Sequence, residues 1–205
     1  MWLQKFIDFI SQPNPKFRCK DTGWPEPGPK RFIAQLKHIY YEPAGSSQIE
    51  LIQSYLGKSA KAFIEFFSKL NGAVLYADTN SDAAGILIAP VEHWDNLTHH
   101  KDHWLMLGED VPTWVKDSIA FGEIPNSGNF FLVIVSGEHC GKIFFLDHDC
   151  LEYEIFANNF EEFIEKVITD PPGLLNKLGC NTRYSDGETE TQWIPEAYAT
   201  GDETL

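Results

Sequence analysis

The sequence predicts an α+β domain in which helices pack against a curved, largely antiparallel sheet of about six strands. Apolar residues recur at helical spacing before residue 72 and after residue 158, whereas the part between them holds short extended apolar runs. Only short polar turns separate the last three runs, which makes those strands antiparallel neighbours. A hydrophobic content of 43%, with 15 Phe, is enough to build a buried core.

The N-terminal segment predicts a helix that docks on the body, followed by an extended arm. The apolar residues of one helical face are Trp2, Leu3, Phe6, Phe9 and Ile10. Lys5 and Asp8 interrupt this stretch and a small-residue cleavage site is lacking, so it is not a signal peptide. Five prolines between residues 13 and 29 predict an extended conformation for the arm.

Two helices are predicted next. Ser47 and Glu50 have the spacing of a capping box, which opens a short helix that runs through Leu56. The second helix carries an apolar stripe and ends at Asn71-Gly72, a left-handed stop signal. Its stripe consists of Phe63, Phe66, Phe67 and Leu70.

Six strands are predicted from runs rich in β-branched and aromatic residues. They cover residues 73–77, 85–91, 119–124, 130–135, 142–146 and 151–156. A short helix is expected at 113–118 within the polar, aromatic stretch that separates the second strand from the third.

The chain then returns to a helix. Asn159 is its expected N-cap, and residues 170–173 stop it. The Asp186-Gly187 pair, between Tyr184 and Trp193, predicts a β-hairpin. The chain therefore divides into an N-terminal helix and arm (1–45), an α+β domain (46–170) and a C-terminal extension with a hairpin and a frayed end (171–205). The expected core aromatics are Phe63, Phe66, Phe121, Phe145, Phe160 and Phe163.

The net charge of −14 limits the possible partners. Residues 1–45 hold seven basic against four acidic side chains, whereas residues 185–205 hold six acids and no base. Such a chain repels the phosphates of nucleic acids and membranes and attracts a basic partner. Acidity that serves only solubility remains an alternative. No apolar run is long enough to span a bilayer, so we expect a cytoplasmic protein.

The four cysteines predict a reduced set of small core residues. They stand at Cys19, Cys140, Cys150 and Cys180, and no pair has C-x-x-C spacing. Neither a zinc ribbon nor a thioredoxin-type site is therefore indicated.

Two polar clusters are the candidates for chemistry. His99, His100 and His103, with Asp102 and with His93 nearby, are either metal ligands or polar surface.

The second cluster follows the fifth predicted strand. Asp147 and Asp149 share a face if the strand continues, with His148 pointing away. Two such carboxylates either hold Mg²⁺ or do acid–base work, or they simply mark the point at which a strand turns. The sequence lacks nucleophile-elbow, phosphate-loop and dinucleotide motifs, and we predict no cofactor.

Taken together, four motifs in this order resemble the SUKH superfamily, which includes fungal regulators of cell-wall synthesis and many bacterial toxin-immunity proteins. The resemblance covers about residues 46–170. Its motifs are Leu70 to Ala73, Phe121-Gly122, Asp147 to Asp149 and Phe160 to Ile164.

The resemblance implies a non-enzymatic protein of α+β fold that binds and neutralises a cognate toxin. Such toxins include nucleases and nucleic-acid deaminases, whose phosphate-holding surfaces are basic, so an acidic immunity protein would occlude them by charge complementarity. The expected partner contacts are Asp78, Asp82, Trp94, Glu123, Asp147 and Asp149. We expect a monomer or a weak homo-oligomer.

Two other functions remain open at this stage. One is a regulatory or scaffold protein that binds another cytoplasmic protein. The other is a metal-dependent hydrolase that uses Asp147, Asp149 and the histidines of 99–103.

Overall fold

The computed structural model describes residues 1–22, 31–81, 85–106, 111–149, 152–179 and 182–199. Its helices are α1 (Trp2–Ile10), α2 (Ser46–Leu56), α3 (Ala60–Phe67), α4 (Trp94–Leu105), α5 (Thr113–Lys116), α6 (Phe160–Thr169) and α7 (Pro171–Lys177). Its strands are β1 (Lys16–Asp21), β2 (Arg31–Tyr40), β3 (Ala73–Asp78), β4 (Ile86–Ile88), β5 (Ile119–Ile124), β6 (Asn129–Val133), β7 (Ile143–Asp147), β8 (Glu152–Ala157) and β9 (Trp193–Tyr198).

All the strands belong to one antiparallel sheet, in the order β8-β7-β6-β5-β4-β3-β2-β1-β9. The predicted α+β class with a largely antiparallel sheet is confirmed. The predicted number of about six strands is wrong, because the described residues form nine.

The three additional strands come from the two ends of the chain. In β1, Phe17 and Cys19 are buried while Arg18 and Lys20 between and beyond them are partly exposed, which is the alternation of a half-buried strand. Strand β1 pairs with β2 on one side and with β9 on the other. The N-terminal arm is therefore part of the sheet at residues 16–21, and the prolines at 25, 27 and 29 lie outside the described residues.

Of the predicted C-terminal hairpin, the structure contains the turn and one isolated β-bridge. Gly187 has φ 78° and Asp186 Oδ1 accepts the N–H groups of Glu188 and Thr189, so the expected turn is present. Tyr184 and Trp193 pair only as an isolated bridge. Trp193 instead begins β9, which pairs with β1. The frayed end predicted for the last residues falls at 200–205, outside the described residues.

Two helix predictions need correction. The N-cap of helix α2 lies two residues earlier than predicted, and its capping contact joins Gly45 N–H to Gln48 Oε1 at 2.6 Å instead of joining Ser47 to Glu50. Helix α4 was not predicted. Its buried stripe consists of Trp94, Leu97, Lys101 and Leu105. Because Lys101 is charged, the sequence does not show the continuous apolar stripe by which an amphipathic helix is recognised.

Aromatic rings form the centre of the core. Phe63 of α3 stacks on Phe160 of α6 at 4.0 Å between ring centroids, and Phe121 of β5 meets Phe163 of α6 edge-on at 5.2 Å. All four side chains are buried, as predicted. Phe145 was also expected in the core; its ring is only partly buried and packs against the core from its edge.

Helices cover both faces of the sheet near β6. On one face Phe131 contacts Phe163 of α6 at 5.1 Å between centroids. On the other face Trp114 of α5 contacts Phe144 of β7 at 4.5 Å. Strand β6 is consequently buried along its whole length. In the described residues, every helix is too short or too polar to cross a bilayer.

The described cysteines differ in environment. Cys19 is buried as predicted, and burial raises the pKa of its thiol to about 12, which keeps it an unreactive thiol. Cys140 is exposed, so its assignment to the core is wrong. Cys150 and Cys180 lie outside the described residues.

His38 makes the stability of the fold pH-dependent. Its Nδ1 accepts the backbone N–H of Tyr76, and its ring packs against Phe9 and Tyr76. Burial lowers the pKa of His38 from 6.5 to about 4 in the folded protein. Between these values the unfolded chain binds more protons than the folded one, so stability is present above pH 6.5 and falls as the pH falls towards 4.

We expect His38 to account for a loss of up to about 3 kcal/mol across this window. Urea unfolding measured from pH 7.5 to 4 would show a shallower acid-side decline in His38→Gln than in the unmodified protein. His100→Gln, a change at an exposed histidine of α4, serves as the matched control and should leave the decline as it is. Equal slopes in all three proteins would contradict the assignment.

Candidate functional site

A groove of about 620 Å³ lies between α4 and the turn that joins β5 to β6. Its lining residues are His99, His100, His103, Trp104, Glu123, Asn126, Gly128 and Phe130. Helix α4 supplies the imidazoles and an indole, strand β5 supplies a carboxylate, and the β5–β6 turn with the start of β6 completes the lining. We refer to this cavity as the α4 groove.

Two contacts hold α4 against its neighbours. Thr98 Oγ1 accepts the backbone N–H of Ala120 at 3.0 Å, which ties the helix to β5. The Lys101 ammonium is fully buried and donates to the carbonyl oxygens of Lys116 and Ser118 at 3.0 and 2.8 Å. Lys116 is the last residue of α5, and Ser118 lies just after this helix. Lys101 therefore joins α4 to the end of α5 and sets the position of the groove wall that α4 forms.

The β5–β6 turn forms the opposite wall. Asn126 and Gly128 have φ of 63° and 82°, so the chain uses two left-handed residues to reverse direction. The ring of His148 lies directly over Gly128, where an added Cβ would stand 3.1 Å from ring atoms. Gly128 therefore permits a close approach that no other residue would allow.

Glu123 is the carboxylate of the groove. It is partly buried in a row of cross-strand neighbours with Leu87 on β4 and Phe130 on β6. Burial alone raises the pKa of this carboxyl, since neither a cation nor a hydrogen-bond donor among the described residues stabilises its ionised form. An uncompensated carboxylate of this kind is unusual outside functional sites.

His148 joins the groove to the β7–β8 turn. Asn129 Oδ1 accepts both the backbone N–H and the ring Nδ1–H of His148, the latter at 2.7 Å. The other ring nitrogen, Nε2, lies 3.0 Å from Asp149 Oδ1. The imidazole also packs against Trp104 with 4.6 Å between ring centroids. Asp149 is thereby held near the groove wall.

Asp147 lies on the other face of the sheet. Glu123, Phe130 and Leu146 are register partners on one face, so Asp147, one residue beyond Leu146, points the opposite way. Its Oδ1 accepts the N–H of Asp149 at 3.0 Å, the usual arrangement of an aspartate that starts a turn. It lines a separate 130 Å³ groove beside the Glu154–Lys177 ion pair.

Two other predicted contact residues are internal. The Asp78 carboxylate is fully buried and accepts hydrogen bonds from Asn80 N–H, Ser81 Oγ and Ser185 N–H. Trp94 is fully buried, and its indole N–H donates to the Ala89 carbonyl at 3.0 Å. Neither side chain is exposed at the surface, so the expectation that these two residues contact a partner is wrong. Asp82 lies outside the described residues.

The structure does not assemble the composite metal site that a hydrolase would need. Asp147 and the histidines of 99–103 are on opposite sides of the sheet. Over the described ranges, one group of three candidate ligands lies within 4.8 Å, namely Asp147, His148 and Asp149. In this group Nδ1 of His148 lies 2.7 Å from Asn129 Oδ1, and Nε2 lies 3.0 Å from Asp149 Oδ1.

Sequence reasoning named Glu123 but missed the aromatic residues beside it. Trp104 and Phe130 were not singled out, although Trp104 follows the histidine cluster directly in the sequence. The i, i+3 and i+4 spacing of His100, His103 and Trp104 on one helical face was the available signal, and it becomes informative only once α4 is recognised.

The protein is of the α+β class, with an antiparallel sheet that carries helices on both faces. Its candidate site is a binding surface, the groove beside a central strand. The chain belongs to the SMI1 / KNR4 family (SUKH-1), whose model matches residues 43–166. The resemblance seen in the sequence is therefore confirmed. A comparison with curated proteins finds no match.

Proposed function

We propose that this protein is an immunity protein that binds a cognate toxin and blocks its active surface. The observation that carries the proposal is the family match over residues 43–166, a segment that contains every residue lining the α4 groove. Membership of this family is consistent with an immunity or a regulatory role. The net charge of −14 favours a basic partner, as expected for a toxin that acts on nucleic acid.

The proposed mechanism is occlusion without chemistry on the toxin. Of the six contacts expected from the sequence, Glu123 and Asp149 lie on the groove side of the sheet. Asp147 contributes only if the partner also reaches around the β7–β8 turn, because it faces the other way. In this proposal the protein acts in the cytoplasm of the cell that makes the toxin, and the toxin is a nuclease or a deaminase.

The experiment is titration of the purified protein against the toxin domain encoded beside its gene. We expect inhibition that is complete at a one-to-one ratio, because occlusion is stoichiometric. Full toxin activity in excess of this protein would overturn the proposal. Raising the salt from about 50 to 500 mM should slow association by at least tenfold if charge steers the encounter.

The second candidate is a regulatory or scaffold protein that binds another cytoplasmic protein. The same family match favours it, since the family description does not separate the two roles. The neighbouring reading frame discriminates between them: an immunity protein is encoded beside its toxin, whereas a regulator has no such requirement. A metal-dependent hydrolase is not supported by the positions of Asp147 and the histidines.

A further inference from the structure

Among the residues that the structure describes, the Glu123 carboxylate of the α4 groove has no counter-ion. Desolvation is the single cause of its raised pKa, and the described residues around it supply neither an ion pair nor a hydrogen bond. By contrast, Glu154 and Glu162 are each paired with a lysine at about 3 Å. Keeping a partly buried charge uncompensated costs stability, so the arrangement suits a ligand that supplies the missing positive charge.

The walls of the groove restrict what that ligand is. Trp104 is partly exposed and presents aromatic surface in the groove, whereas Phe130 is buried behind its lining. The groove is open to solvent and has a volume of about 620 Å³. A planar cation that stacks on aromatic rings and pairs with a carboxylate through two N–H groups matches these walls better than a compact ammonium does. That cation is a guanidinium.

We propose that the α4 groove is the docking site for an arginine side chain of the protein partner, with Glu123 accepting hydrogen bonds from the guanidinium and Trp104 flanking it. This inference deepens the proposed function and rests on it for the identity of the partner. The occupant is an arginine exposed on a basic surface, which is the side chain that a toxin of phosphate-rich substrates presents. The chain's charge of −14 complements such a surface.

The test uses N-acetyl-arginine amide as the probe and two-dimensional NMR of the full chain as the readout. We expect saturable shifts in the Trp104 indole N–H and in the backbone amides of residues 123 and 126–130. The neutral isostere N-acetyl-citrulline amide should bind at least about tenfold more weakly, since it lacks the charge. Equal binding of the two probes, or an absence of saturable shifts, would overturn the proposal.

Glu123→Gln is the decisive variant, because it keeps the shape of the side chain and removes its charge. It should weaken arginine binding by at least about tenfold while its thermal midpoint stays at or above that of the unmodified protein, as no native ion pair is lost. Glu161→Gln, at an exposed position of α6, removes one charge elsewhere and should bind like the unmodified protein. Undiminished binding by Glu123→Gln would refute the assignment.

This design separates the inference from the function on which it rests. A toxin that is inhibited equally by the unmodified protein and by Glu123→Gln would leave the immunity role intact and remove the groove from it. Probe binding that depends on Glu123, together with a toxin that is not inhibited, would support the arginine site and overturn the immunity role. A concentration-dependent dimer that Glu123→Gln dissociates would mean that a second copy occupies the groove, and would also refute the proposal.

Discussion

Replacement of Asp78 by alanine is expected to destabilise the protein by about 4 kcal/mol. The carboxylate is fully buried at the end of β3 and accepts three hydrogen bonds, from Asn80 N–H, Ser81 Oγ and Ser185 N–H. Each bond to a charged acceptor contributes about 1.5 kcal/mol or more, and alanine would remove all three. Urea unfolding at pH 7 measures the loss.

A local effect should accompany the global one. The bond to Ser185, at 2.7 Å, joins residues 107 positions apart and ties the segment before β9 to the body. Exchange of the Ser185 amide hydrogen should therefore accelerate in Asp78→Ala more than exchange at the core of β6 does. Asp8→Ala, at an exposed carboxylate of α1, is the matched control and should change stability by less than about 0.5 kcal/mol. A loss at Asp78 as small as the control's would show that the carboxylate is not an anchor.

Replacement of Lys101 by methionine is expected to cost about 3 kcal/mol. The ammonium is fully buried and donates to the carbonyls of Lys116 and Ser118, and it also lies 3.0 Å from Asp102 Oδ1. Methionine preserves the length of the side chain but leaves buried carbonyls without their donor. The ion pair adds little to this figure, because half of the Asp102 side chain is exposed.

The same change should alter the α4 groove. Without Lys101, the link between α4 and the residues around α5 is lost, so Trp104 is less firmly held against His148. We expect near-ultraviolet circular dichroism to weaken in Lys101→Met below its unfolding midpoint, together with the loss of stability. Lys116→Met, at an exposed lysine of α5, should affect neither readout. An unchanged midpoint in Lys101→Met would show that the buried ammonium contributes nothing to the fold.

These residues illustrate what local patterns can and cannot predict. The strands from residue 73 to residue 157 were predicted because a short apolar run favours a buried strand whichever segments of the chain pair with it. The helix around Phe63 was predicted for the same reason, as its stripe is purely apolar. Helix α4 was missed because Lys101 occupies a core position, and a buried lysine is compatible with the core only when its acceptors, 14 to 17 residues ahead, fold onto it.

The candidate site likewise combines residues that local patterns predict with residues whose positions they do not predict. Glu123 and Asp149 were predicted as contacts from the resemblance, and the structure places both on the groove side of the sheet. Asp78 and Trp94 were selected on the same grounds and are internal. Burial depends on which distant segment covers a residue, and this information is absent from the few residues on either side of it.

The amino-acid sequence by itself determined the α+β class, the antiparallel pairing of the central strands, the family and the acidic character of the surface. Periodicity, short turns and net charge are local or additive properties, which can be read without coordinates. Tertiary structure alone decided that β1, β2 and β9 complete the sheet, that Asp147 and Glu123 face opposite sides, and that Glu123 shares a groove with Trp104. These outcomes depend on register and on contacts between distant segments, which a one-residue shift in strand pairing would reverse.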